Sequence, residues 1–342
     1  MTNCPERDKG ESVKFSGVKE FSHFAIHVSD LERSLDFYVE RLGLEVVTEF
    51  VEGGETTCAA VGYPEALLNL AMLRLPGTRA LMEVIEYQNP RGTPVDPDQA
   101  NPGTCHICFY VDDLVAAWTD LEAAGIESVS DGVIDVLEGP MEGGKVIYCK
   151  DPDGIRIQFR ETNTTLESTL RDPGQRGHTV PANEFSHLGL HVRNLERSLE
   201  FYREQLGLKV VAEQLFQADY LRQVVGQPKA DINTATLRLP GSLPGTQSYL
   251  EVSEYQNVSG APIDTEHANP GTCHICFYVD DLLAVWAKLE AFGSELVSKR
   301  VVDLRDGPLA GGKVIYVEDP DGIRVELLQA EISLTEAVEQ GV

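Results

Sequence analysis

The chain has 342 residues, 42% of them hydrophobic and 24% charged, more than one compact core usually organises, so two domains are expected and wholesale disorder is excluded. Its 28 Lys and Arg against 55 Asp and Glu give a formal net charge of −27, a field that repels nucleic acid and anionic membranes and favours a neutral or weakly charged ligand. No window approaches the run of about 18 apolar residues that crosses a bilayer, the start lacks a signal-peptide core, and the seven cysteines are too sparse for a disulfide framework, so a soluble, cytoplasmic chain with reduced thiols is expected.

After a loose tail over 1–17, His23, Ala25 and His27 alternate with Phe24, Ile26 and Val28, which predicts a strand with one polar and one apolar face. Asp30 then caps a helix with Leu31, Leu35, Tyr38 and Leu42 on one stripe, stopped by Gly43. Strands are expected near 68–75 and 80–87, the second carrying Glu83 on a face alternating with its apolar neighbours. A second strand runs from Cys105 to Val111, and the helix after it has Asp112 at its cap, Leu114, Trp118 and Leu121 on its stripe and Gly125 at its end. Strands near 145–150 and 155–160 flank a DPDG turn, and a polar linker covers 162–183.

The chain then repeats itself. FSHFAIHVSDLERSLDFY (21–38) returns as FSHLGLHVRNLERSLEFY (185–202), and NPGTCHICFYVDDL (101–114) returns unaltered at 269–282. The offset is 164 residues until LRLPG and 168 afterwards, because one loop grows by four residues. The domains are therefore read as 18–161 and 184–330, with a loose tail over 331–342. Each copy holds two β-α-β-β-β units, which makes the fold class α+β: mostly antiparallel sheets, helices on one face, curled around a cavity on the other.

On the inner faces lie His23, His27, Glu83, His106 and Gln158 in the first copy, and His187, His191, Glu251, His274 and Glu326 at the matching places of the second. Two imidazoles and two carboxyls on four strands suit a divalent metal with open positions. Cys105 and Cys108 point to opposite faces of their strand and cannot share an ion, Arg156 and Arg324 are expected to pair with carboxylates, and His178 and His267 receive no role.

These motifs, HFAIHVSDLERSLDFY, CHICFYVDDL and GGKVIY followed by DPDGIR, resemble the vicinal oxygen chelate superfamily, which includes glyoxalase I, methylmalonyl-CoA epimerase and extradiol dioxygenases. The resemblance implies metal ligands at His23, Glu83, His106 and Gln158 in copy one and His187, Glu251, His274 and Glu326 in copy two, with Glu83, Glu251 and Glu326 as catalytic carboxylates. His27 and His191 are candidates for touching substrate. Gln158 departs from the pattern, since an amide can ligate a metal but cannot accept a proton as a base. Pairing of neighbouring units would give a full site of His187, Glu251, His274 and Glu326; exchange between copies would give His23, Glu83, His274 and Glu326. Either way one fully competent site per chain is expected.

The shared chemistry of the superfamily implies proton transfer beside a carbonyl of a metal-chelated substrate. The arginine that holds the glutathione carboxylate in glyoxalase I would fall at His27 or His191, and its absence speaks against glutathione. The expectation is thus a metal-dependent epimerase or isomerase of a small polyhydroxylated ketone, resembling the tandem enzymes that act on 2-epi-5-epi-valiolone. Its cofactor would be nickel, cobalt, manganese or zinc. Its partner is a small neutral or weakly charged carbonyl compound, with a homodimer left open. The alternatives are a glyoxalase I-type lactoylglutathione lyase, an iron(II) extradiol dioxygenase and a non-catalytic drug-sequestering protein.

Overall fold

The computed structural model describes residues 17–138, 142–162, 182–241, 248–258, 260–305 and 307–339. The expected N-terminal tail and linker, with His178, lie almost entirely outside them. The first unit comprises β1 (Glu20–Val28), α1 (Leu31–Leu35), β2 (Glu45–Gly53), α2 (Glu55–Val61), β3 (Leu67–Arg74) and β4 (Leu81–Asn89). The second comprises β5 (Cys105–Tyr110), α3 (Leu114–Ala123), β6 (Ile134–Asp135), β7 (Lys145–Lys150) and β8 (Arg156–Glu161). The second copy repeats the pattern: β9 (Glu184–Val192), α4 (Leu195–Leu199), β10 (Lys209–Phe216), α5 (Asp219–Val224), β11 (Asp231–Arg238) and β12 (Tyr249–Gln256). The last unit is β13 (Cys273–Tyr278), α6 (Leu282–Phe292), β14 (Glu295–Leu296), β15 (Val302–Asp303), β16 (Lys313–Glu318), β17 (Arg324–Gln329) and α7 (Leu334–Glu339).

The units pair by exchange between copies. One sheet runs β14-β16-β17-β13-β1-β4-β3-β2, with β15 beside β16; the other runs β10-β11-β12-β9-β5-β8-β7-β6. Each is closed at its centre by an antiparallel seam, β1 against β13 and β5 against β9, and each contains parallel pairs such as β1 with β4. The sheets are thus mixed, and each takes strands from both copies: four from the first and five from the second in one sheet, four from each in the other.

Helix starts follow from local chemistry. The Asp30 side chain accepts the Arg33 N–H at 3.0 Å, and Asn194 does the same for Arg197 at 2.9 Å. The cap of α3 is Asp113 rather than Asp112: its side chain accepts from Ala116 N–H at 2.9 Å, the three-residue reach that a cap requires. After α1 the chain widens into a π-helical turn over Asp36–Arg41, where the predicted stripe assumed 3.6 residues per turn. The wider turn buries Phe37 beside Tyr38 and sends the Tyr38 hydroxyl to Asp151 Oδ2 at 2.8 Å, tying the first unit to the DPDG turn of the second. Tyr202 and Asp319 repeat the tie at 3.0 Å. The C-terminus also departs from expectation: instead of a loose tail, residues 334–339 form α7, with Leu334 and Ala337 buried and the Leu334 N–H donating to Tyr278 Oη at 2.6 Å.

The apolar faces of both sheets and the inner sides of the helices share one core that includes Phe24, Ile26, Tyr38, Phe109, Phe185 and Phe277. Phe185, at the start of β9, is 1% exposed and meets Phe21, Phe24 and Phe109 at ring-centroid distances of 6.4, 5.6 and 6.2 Å. It joins residues of both sheets, so Phe185→Ala should destabilise the chain by about 3–5 kcal/mol. Urea unfolding followed by tryptophan fluorescence tests this, and a loss under about 1 kcal/mol would mean that the two sheets do not depend on this contact.

Candidate metal centre and its twin

The first seam brings four predicted residues together. Ala25 on β1 lies between His274 on β13 and Glu83 on β4, while Cys276 lies between His23 on β1 and Glu326 on β17. Because side chains alternate along each strand, this register places His23, Glu83, His274 and Glu326 on the same side of the sheet. His23 Nε2 is 3.2 Å from Glu326 Oε2 and 3.5 Å from Glu83 Oε2; His274 Nε2 is 3.5 and 3.7 Å from the same two oxygens. The site lies in a cavity of about 160 Å³ walled by Phe50, Met72, Val314, Tyr316, Leu328 and Leu334, with Glu52, Thr56 and Thr57 among its polar lining residues. The α7 helix absent from the sequence-based expectation therefore supplies part of the wall.

Electrostatics divides the two carboxyls. Burial works to raise the Glu326 pKa, but the close approach of the His23 and His274 imidazoles outweighs it and holds Glu326 well below the ordinary range. Glu83 is raised to about 8, chiefly by burial, against the pull of His23 and with the help of Glu326. Burial lowers His23, yet the facing carboxylates raise it overall; for His274 burial prevails and the pKa falls.

His27 does not line this cavity. Its Nδ1 meets Thr272 Oγ1 at 2.7 Å and its Nε2 meets His274 Nδ1 at 3.3 Å. If His274 Nε2 is to ligate, its proton must sit on Nδ1 and be donated to His27, whose own Nδ1–H donates to Thr272, whose hydroxyl donates to the Asn269 carbonyl at 2.8 Å. His27 thus stands behind His274, held by Thr272, where the sequence suggested contact with substrate. His267, which received no role, packs 4.9 Å centroid to centroid on His274 and 4.5 Å on His27, and is 1% exposed. Its counterpart at the 168-residue offset is Gln99, the signal by which the repeat could have flagged it. His27, His267 and His274 also bring nitrogen atoms together, but the Arg324 guanidinium adds positive charge there and His27 and His274 already share a hydrogen bond. Arg324 and Arg156 make the expected ion pairs, with Glu266 at 2.7 Å and Asp98 at 3.0 Å.

The second seam gathers His106, His187, Glu251 and Gln158 on β5, β9, β12 and β8. Here the two imidazoles face each other: His106 Nε2 to His187 Nε2 is 3.0 Å, while Glu251 stands back at 4.0 Å from the first and 3.8 Å from the second. His191 lies behind His106 at 3.0 Å and bonds Thr104 at 2.8 Å, the same supporting chain as in the first site. Gly189 explains the difference. It lies across from His106 in the seam, and a Cβ there would come within 2.0 Å of the imidazole; the first site has Ala25 at this place. Without that methyl the His106 ring occupies the vacant space and reaches His187.

The donor set of the first site fits a divalent metal. Neither His23 Nε2 nor His274 Nε2, both buried, has a well-aligned hydrogen-bond partner, and two carboxylates face them. The His106, His187 and Glu251 atoms are also close enough to surround an ion.

The pattern of the Glyoxalase/Bleomycin resistance protein/Dioxygenase superfamily matches residues 20–159 and again 184–327, and the chain belongs to that superfamily. It is 24% identical over 337 residues to the lactoylglutathione lyase of Schizosaccharomyces pombe, covering 91% of this chain and 96% of that one. The glyoxalase I structure from Zea mays superposes with a TM-score of 0.61 at 16% identity, covering 94% of each chain, a likeness of fold. The 2-epi-5-epi-valiolone epimerase of an Actinomyces species is 28% identical over 147 residues, only 42% of this chain. These spans overturn the expectation of a cyclitol-ketone epimerase: the full-length likeness is to a lactoylglutathione lyase. The argument against glutathione loses its ground, because His27 is packed behind His274 and does not line the cavity. Among the described residues no helix is long and apolar enough to cross a membrane.

Proposed function

We propose that the chain is a glyoxalase I-type enzyme that isomerises the hemithioacetal of a 2-oxoaldehyde and a thiol, glutathione first among the thiols to be tested. His23, Glu83, His274 and Glu326 would hold a divalent ion of nickel, cobalt, manganese or zinc. The observation that carries the reading is the convergence of two histidines and two carboxylates, one of each from either copy, at 3.2 to 3.7 Å.

In such an adduct the carbon bearing sulfur holds a hydrogen next to a carbonyl. Moving that proton to the neighbouring carbon, with the hydroxyl proton passing between the two oxygens, yields a 2-hydroxyacyl thioester with no atom gained or lost. A bound divalent ion supplies Lewis acidity toward the negative charge that develops on the adjacent oxygens. Glu326 is assigned the carbon-to-carbon proton transfer, because its carboxylate is kept ionised by the two imidazoles and opens onto the cavity. Glu83 completes the ligand set. The apolar wall of Phe50, Met72, Leu328 and Leu334 limits water around the reacting carbons. Glu52 offers a carboxylate to the ammonium of a γ-glutamyl group, and Thr56 offers a hydroxyl donor to its α-carboxylate.

The test is thioester formation from methylglyoxal and glutathione by protein that has been chelated and then reloaded with each ion. Chelation should abolish the activity and reloading restore it. Metal uptake without thioester formation would overturn the reading, and oxygen consumption with iron(II) and a catechol would replace it by a dioxygenase.

A further inference from the structure

The two sites are built from matching positions, yet they differ in charge. At the 168-residue offset Glu326 corresponds to Gln158 and Leu328 to Arg160. Residues 158 and 160 share one face of β8, so the guanidinium stands on the same side of the sheet as the amide. Its field acts on His106, His187 and Glu251, and Glu251, Cys108 and Tyr148 act on it in return. With both carboxyls ionised, as ligands must be, the first site carries −2, and the guanidinium whose field reaches His274, that of Arg324, is already paired with Glu266 at 2.7 Å, so the −2 is left for a divalent ion to neutralise. In the second, the single carboxylate Glu251 lies in the field of the Arg160 guanidinium, so a divalent ion there would add its charge beside a buried cation rather than between two anions.

Geometry points the same way. His106 Nε2 faces His187 Nε2 at 3.0 Å, so one of the two nitrogens must carry a proton to make that contact. Gly189 provides the room for this arrangement, and Ala25 denies it to His274. Ser253 further holds Glu251, its hydroxyl 3.4 Å from Oε1.

We infer that Arg160 takes the place of the metal in the second site, so that His106, His187, Glu251 and Gln158 form a metal-free twin and the chain binds a single catalytic ion. The inference goes beyond the proposed reaction, which concerns the other site, and it corrects the ligand roles that the superfamily resemblance implies for these four residues.

The experiment compares cobalt(II) uptake by chelated wild-type protein and by the double variant Gln158→Glu/Arg160→Leu, using visible d–d absorption and metal analysis. Wild type should take up about one ion per chain and lose it on His23→Ala; the double variant should take up about one ion more, and that extra ion should vanish on His187→Ala. Two tightly held ions in wild type, a wild-type ion lost with His187→Ala but kept with His23→Ala, or no gain in a double variant of native circular dichroism would each overturn the inference. If the double variant does not fold, Arg160→Met is the second test: weak uptake of a further ion supports the role of the guanidinium, and unchanged uptake overturns it. Because the gain is read against wild type, it decides the role of Arg160 in the twin even if wild type holds no ion, a result that would overturn the proposed reaction and the single catalytic ion with it.

Discussion

Glu326→Gln should lower kcat/KM for thioester formation by about 10²–10⁴-fold while leaving the far-ultraviolet circular dichroism of the chain unchanged. The substitution keeps the shape of the side chain and removes its charge and its capacity to accept a proton. It also turns this position into what Gln158 already is in the twin, so the side chain is known to be tolerated on an equivalent strand between the same neighbours. Metal affinity should fall as well, since one of the two carboxylates facing His23 and His274 is lost. The decisive readout is single-turnover proton exchange at saturating metal, which separates weakened metal binding from a lost base. Glu326→Asp should recover part of the rate. A Glu326→Gln protein that exchanges the substrate proton at the wild-type rate when fully loaded would move the base to Glu83. The matching change in the twin, Glu251→Gln, should leave the rate within about twofold, because Glu251 belongs to a site whose charge is balanced by Arg160.

The four residues that converge at the first seam were legible because two signals coincide on them: alternation along a strand and recurrence in the second copy. His23 and His187 or Glu83 and Glu251 can each be read as a polar residue on a solvated face, but the same chemistry at the same place twice is hard to reconcile with that. The pairing of units was not legible. Strand patterns report which face a residue occupies and are silent on which strand lies across the seam, so His274 and Glu326 could be assigned to the complete site while His23 and His187 could not be ranked as their partners. The π-helical turn after α1 escaped for a related reason, since a stripe of Leu31, Leu35, Tyr38 and Leu42 satisfies the ordinary period and the buried Phe37 does not stand out from it. The α7 helix consists of six residues and is stabilised by what it covers rather than by its own propensity. Arg160 was readable in principle, two residues from Gln158 and on its face, but its meaning depends on Glu251, which only the fold brings near. The substrate expectation went astray because it treated one position on the first strand as part of the cavity wall, where the structure has a buried histidine held by Thr272.

Metal binding by the chelated protein should release at least one proton per ion at neutral pH, and the affinity should rise by about tenfold or more per pH unit below about pH 8, flattening above it. The cause is Glu83, whose carboxyl is raised to about 8 by burial and by Glu326, so that the metal-free site holds a proton there that the ion must displace. His23, raised above the ordinary imidazole value by the same carboxylates, adds a further fraction of a proton. The sign for stability follows. A carboxyl whose pKa is higher folded than unfolded gives stability that is fully present below the unfolded value of 4.5 and is lost as pH rises through about 8. The metal-free protein should thus lose stability across that window, whereas the loaded protein, with Glu83 ionised and paired to the ion, should not. The gap between their melting temperatures should widen from about pH 6 to about pH 8. Calorimetric titration of zinc into chelated protein in buffers of different ionisation enthalpy counts the protons directly. Glu83→Gln should remove the released proton along with much of the affinity, and the His187→Ala protein, altered only in the twin, should release as many protons as wild type. A count of zero with a pH-independent affinity would mean that the metal-free site keeps Glu83 ionised, and that the burial of its carboxyl is offset by groups other than those that face it here.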